Sequence, residues 1–134
     1  APYPTSRCAR SRMPATVIGS FALPWTPSRY GFTGFVTRGS AGAIVLGANI
    51  STCAHMDHND VGLTDMHGLD LLDGHAVWCH YRAADFPLIQ VFVRRTRLPT
   101  YLLAETTGLW RRGPADFVSF GWPAAYLLTG AMVA

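Results

Sequence analysis

The apolar and polar positions along the chain divide it into segments of different character. Residues 1–30 are broken by Pro2, Pro4, Pro14, Pro24 and Pro27, and proline interrupts helices and central strands alike. Val17, Ile18, Phe21, Leu23 and Trp25 make the same stretch too apolar for a free linker. It reads as an extended arm lying on a surface. Residues 31–50 are rich in glycine and carry an apolar run from Ala41 to Ala48. The β-branched centre of that run, Ile44-Val45, predicts a buried strand over 43–48.

Further along, Asp73-Gly74 is a favoured two-residue hairpin turn. A hairpin over 67–81 centred on it pairs Leu71 with Ala76 and Leu69 with Trp78 on one face. That face ends in His67 opposite His80, while Cys79 points the other way. Leu88 to Arg94 reads as a strand that returns alongside, and 101–110 fits a short helix or a strand equally well. Phe117 to Ala134 is an uncharged run of 18 residues, at the lower limit for crossing a bilayer. Arg111 and Arg112 precede it as a positive flank. Gly121, Pro123 and Gly130 within it are better tolerated in membrane helices than in water. A buried element of a larger assembly is the alternative reading of that run.

Together these features predict a small α+β fold. It comprises a short antiparallel sheet with the Asp-Gly hairpin (67–81), an extended Pro-rich N-terminal arm, and an apolar C-terminal helix able to cross a membrane. The expected organisation is an arm over 1–30, a small β-rich domain over 31–110 and an apolar segment over 111–134.

Composition narrows the class. The 134 residues suffice for one domain. Only 14% are charged and 49% are hydrophobic, against about 25% charged in ordinary soluble domains. A disordered charged tail, a collagen-like repeat and a polar linker are excluded. All 11 cationic side chains are Arg, and the formal net charge is +3. The charge runs basic over 1–52, acidic over 53–80 and basic again over 81–134. An Arg-rich, Ser-containing and acid-free start resembles an organellar transit peptide in composition.

Candidate chemistry concentrates in one window. All 5 His fall between residues 53 and 80, with Cys53 and Cys79 at its ends. Thiolate and imidazole are the common zinc ligands, and tetrahedral sites assemble from two short clusters. Cys53 and His55 form one such cluster, and the opposed His67 and His80 of the expected hairpin form the other. Asp57, Asp60 and Asp65 would then hold second ring nitrogens. The plainer reading is a loop whose His and Asp are solvated or salt-bridged, and a Cys53–Cys79 disulfide is a third alternative. There is no Cys-x-x-Cys, no phosphate-binding Gly-x-x-x-x-Gly-Lys and no Gly-x-Ser-x-Gly elbow. With Glu105 the sole Glu, a paired-Glu mechanism is excluded.

Cys53-Ala-His55 with Cys79-His80 loosely resembles the paired loops of a Rieske iron–sulfur domain, which would imply electron transfer. The adjacent Cys79-His80 departs from the Cys-x-x-His of that family. Asp57-His58 with Cys79-His80-Tyr81-Arg82 is somewhat similar to the ends of an HNH nuclease motif, which would make His58 a base. The central Asn and the zinc-knuckle cysteines of that family have no counterpart here.

The reading these features favour is a non-catalytic accessory subunit of a membrane-associated organellar complex of respiratory or photosynthetic type. Its partners would be other protein subunits and membrane lipid, with the mitochondrial inner membrane favoured over the thylakoid. The alternatives are a small zinc-binding domain using Cys53, His55, His67 and His80, and an RNA-associated subunit of an organellar ribosome.

Overall fold

The computed structural model describes residues 16–19, 36–38 and 40–130. In chain order the elements are β1 (Thr16–Gly19), β2 (Val36–Arg38), α1 (Ala41–Leu46), β3 (Ala76–Trp78), α2 (Phe86–Thr96), β4 (Thr100–Leu102), β5 (Thr107–Gly113), β6 (Asp116–Gly121) and β7 (Tyr126–Leu128). They form a four-stranded sheet in the order β2-β1-β5-β6 and a three-stranded sheet in the order β3-β4-β7. β3 and β4 are parallel, joined through α2, and β7 returns antiparallel to β4.

Period-two alternation distributes the three-stranded sheet between two cores. Val77, Cys79, Tyr101 and Leu103 pack with Ala43, Ile44 and Leu46 of α1 and with Leu72 and Leu109. Trp78 and Leu102, on the opposite face, pack with Ile89 and Val93 of α2. The sheet is therefore covered on both sides, as a parallel strand pair requires.

This small α+β chain is assembled differently from the sequence expectation, and each correction has a local cause. The predicted strand over Leu88–Arg94 is the body of α2. Ile89 and Val93, four apart, are the buried pair while Leu88 and Val91 are exposed, which is a helical stripe and not an alternation. Pro87 lies in the first turn, where it costs no hydrogen bond. Arg97 closes the helix in a left-handed conformation, its N–H bonded to the Val93 carbonyl at 2.9 Å. Burying Ile89 and Val93 contributes roughly 1.5–3 kcal/mol each. The run 43–48 is also no strand: Ala43, Ile44 and Leu46 are the buried face of α1.

The Asp-Gly hairpin over 67–81 does not form. The turn itself has the predicted chemistry, with Asp73 at φ 51° and Gly74 at φ 77° and the His75 N–H on the Leu72 carbonyl at 3.1 Å. Its first arm leaves the second, however. Leu69, Asp70 and Leu71 donate to the carbonyls of Val45, Gly47 and Leu46 at 2.8–3.1 Å, and His67 bridges Asn49. The first arm thus lies along the C-terminal end of α1, and β3 takes β4 as its partner.

The expected C-terminal apolar helix is instead two strands. β6 hairpins onto β5, and β7 adds to β4. Gly121 at φ 86° and the following Trp122-Pro123 end the first strand and redirect the chain. No helix among the described residues is long and apolar enough to cross a membrane. The predicted arm over 1–30 lies outside the described residues except for β1.

Candidate active site

Ser40 occupies the turn between β2 and α1, with φ 50° and ψ −121°. That region is costly for a residue with a side chain and is held only where surrounding structure imposes it. The Ser40 carbonyl accepts the N–H groups of Ala43 and Ile44 at 3.0 and 3.2 Å and so starts the helix. It also accepts the Cys79 thiol at 3.4 Å. A strand, a serine at positive φ and a helix in succession have the geometry of a nucleophile elbow, a turn that presents a hydroxyl clear of its backbone.

His80 follows β3 and is itself left-handed, at φ 55°. Beyond the last paired residues, Leu103 donates to the Trp78 carbonyl and Tyr81 to the Leu103 carbonyl, both at 2.9 Å. These two bonds continue the parallel ladder and bring His80 beside the turn that carries Glu105. Both residues thus lie just past the carboxyl ends of adjacent parallel strands, the position where open α/β sheets place their ligands.

The side chains meet. Ser40 Oγ is 2.8 Å from His80 Nε2, and His80 Nδ1 bonds Glu105 Oε1. An ionised carboxylate can only accept, so Nδ1 carries the ring proton and donates it to Glu105. Nε2 is then left as the acceptor for the Ser40 hydroxyl. The His80 side chain is 30% exposed and Glu105 70% exposed, so the cluster opens to solvent.

The residues singled out as zinc ligands are dispersed. Cys53 donates its thiol to the Ile50 carbonyl at 3.0 Å. The His55 ring stacks on Trp78 at 4.3 Å, with Nδ1 3.0 Å from the Thr52 carbonyl. His67 is exposed and pairs with Asp65 at 2.7 Å. The His67 amide and ring hold the Asp65 carboxyl below its usual range. His80 alone of the four sits in the serine cluster. His58 is exposed, and Cys53 and Cys79 are free thiols. No group of three His, Cys, Asp or Glu positioned to hold an ion occurs among the described residues.

Sequence reasoning missed Ser40 and Glu105. The elbow motif in its usual form has glycine two residues before the nucleophile, and here Arg38 stands at that position. The remaining signal is Gly39-Ser40-Ala41-Gly42, three minimal residues around a serine, one residue after the β-branched pair Val36-Thr37.

No family model matches the chain, and no curated protein matches it. Its fold is similar to the crystal structure of a candidate peptidase E protein from Listeria monocytogenes EGD-e, with a TM-score of 0.52 and 23% identity. The match covers 66% of this chain and 43% of that one. At this identity the likeness is one of fold. The fold and the serine cluster overturn the expectation of a non-catalytic accessory subunit of a respiratory or photosynthetic membrane complex. The apolar run on which that expectation rested is spent on β6 and β7.

Proposed function

We propose that this chain is a serine hydrolase that cleaves an acyl bond, with peptide amides as the substrate class. The observation that carries this reading is the Ser40–His80–Glu105 relay, in which a left-handed serine at a strand-to-helix elbow donates to an imidazole anchored by a carboxylate. The likeness to a candidate peptidase E supports peptide bonds in particular, and this chain spans 43% of that protein's length.

Each residue has a defined task. Nε2 of His80 takes the Ser40 proton as Oγ attacks the carbonyl carbon, and the imidazolium formed is stabilised by Glu105. The Ala41 amide, next after the nucleophile in the first turn of α1, is the elbow's donor to the developing oxyanion. His80 then returns the proton to the departing amine, leaving an acyl ester on Ser40. A water deprotonated by His80 attacks that ester, releasing the acid and restoring the Ser40 hydroxyl.

A fluorophosphonate probe tests the assignment, because it phosphonylates only serines activated in this way. Intact-mass and peptide analysis of the wild-type chain should show one adduct, on Ser40. The adduct should be lost in Ser40→Ala and strongly slowed in His80→Ala. Failure of the folded wild-type protein to react, or reaction at another serine, would overturn the reading.

A further inference from the structure

Glu105 reaches His80 from a turn rather than from a strand, and its side chain is mostly in solvent. Water competes for an exposed carboxylate, and a Glu side chain has three torsions to order before it can hold a ring in place. Its contact with His80 therefore depends on how firmly the backbone of the turn is fixed. The Thr107 N–H bonds the Ala104 carbonyl at 3.1 Å, which places Glu105 and Thr106 at the two central positions.

Both threonines that follow Glu105 turn their hydroxyls onto a distant segment. Thr106 Oγ1 donates to the Trp122 carbonyl, and Thr107 Oγ1 donates to the Pro123 carbonyl at 2.6 Å. Thr107 has no exposed surface, so without that acceptor its hydroxyl would be buried unpaired, which is unfavourable. The receiving segment is itself constrained. Gly121 has φ 86°, and a Cβ there would stand 2.0 Å from the Thr106 carbonyl oxygen. Beyond it, the Ala125 N–H is held by Ser119 Oγ at 2.7 Å.

We propose that Thr106 and Thr107 are positioning residues for Glu105, strapping its turn to the 121–123 segment through their hydroxyls. The proposal rests on the serine hydrolase reading. Neither threonine touches the reacting atoms. Their effect passes through the turn to the carboxylate, and from the carboxylate to the imidazole.

The test is the second-order rate of fluorophosphonate labelling at Ser40, measured well below the melting temperature of every variant. Thr107→Val and Thr106→Val keep the shape and remove the hydroxyl, and each should slow labelling about tenfold. Thr107→Ser and Thr106→Ser restore the donor and should label within about twofold of wild type. In a Glu105→Gln background the Val substitutions should have little further effect, because residues acting through one group are not additive. Val variants that label at the wild-type rate would overturn the proposal. So would a slowing of equal size with and without the Glu105 carboxylate, which would mark a general structural role. Thr106, exposed, keeps the test available where Thr107→Val fails to fold. Wild-type protein that does not label Ser40 at all would instead remove the hydrolase reading, and this proposal with it.

Discussion

The Asp73 carboxylate grips the Arg111 guanidinium at two points, Nη2 to Oδ1 at 2.6 Å and Nε to Oδ2 at 3.1 Å. The same carboxylate accepts the Ala115 amide at 2.9 Å. Asp73 sits in the turn leading into β3, whereas Arg111 lies in β5 of the other sheet, so this contact ties the two sheets together. Arg111 is buried and Asp73 partly exposed. A fork-shaped donor matched to both carboxylate oxygens is the strong form of such a pair.

Asp73→Asn should therefore destabilise the fold by roughly 2–3 kcal/mol, because a buried guanidinium loses its bidentate counter-charge. Denaturant unfolding monitored by tryptophan fluorescence measures this, and a change under about 0.5 kcal/mol would contradict it. The pH dependence has a definite sign. The Ala115 amide, followed by Arg111, holds the Asp73 carboxyl below its usual 3.8. A carboxyl lowered in the folded state adds stability above pH 3.8, which is lost as pH falls through its folded value. Asp73→Asn should show a flatter acid limb than wild type.

The turn at Asp73-Gly74 could be read from sequence because its signal is local: two residues that accept positive φ. The arms of the hairpin could not, since the partner of 67–71 is the end of α1 and nothing in either segment encodes that pairing. The same limit applies to the serine cluster. Ser40 and His80 are 40 residues apart, and His80 and Glu105 are 25 apart, so no short motif contains the relay. The density of His and Cys over 53–80 marks His80 as a metal ligand, whereas the fold sets its ring between Ser40 and Glu105. Only the parallel ladder of β3 on β4 brings His80 to Glu105. The apolar run from Phe117 looks membrane-spanning because hydropathy ignores where Gly121 and Pro123 break it.

Gly68 is a second place where the backbone leaves no room. A Cβ there would lie 2.1 Å from the Gly47 carbonyl oxygen and 2.8 Å from that of Val45. Both are main-chain atoms at the end of the elbow helix and cannot swing aside. Gly68→Ala should cost about 2 kcal/mol or more by forcing the 66–71 run off α1. A melting temperature within a degree of wild type would show that the run is not seated as described.

Ser40 is predicted to trade stability for its position. Glycine adopts φ 50° and ψ −121° without a Cβ penalty, so Ser40→Gly should raise stability by about 1 kcal/mol while abolishing fluorophosphonate labelling. Ser40→Ala abolishes labelling equally but keeps the Cβ and should gain none of that stability. Comparing the two by thermal unfolding separates backbone strain from loss of the hydroxyl. Equal melting temperatures would mean that the elbow is not strained in solution.

Cys79 connects the elbow to the histidine, since its thiol donates to the Ser40 carbonyl and its main chain continues into His80. Burial, reinforced by the nearby negative Glu105, pushes the thiol from its ordinary 9.0 up to about 12. It therefore stays protonated across the neutral range, as a donor to a carbonyl must, and a protonated thiol is a poor nucleophile. At pH 8 iodoacetamide should alkylate the half-buried Cys53 first and reach Cys79 only on the timescale of unfolding. Peptide mass spectrometry over time reads both sites. The linkage runs opposite to that of Asp73. Above about pH 9 the unfolded chain releases a proton that the folded chain retains, so stability contributed by this thiol falls as pH rises from 9 toward 12. Cys79→Ala, which has nothing to ionise, should lose less stability over that interval than wild type. Rapid alkylation of Cys79 in the native protein, or identical alkaline limbs for the two, would show the thiol to be accessible and its contact with Ser40 absent.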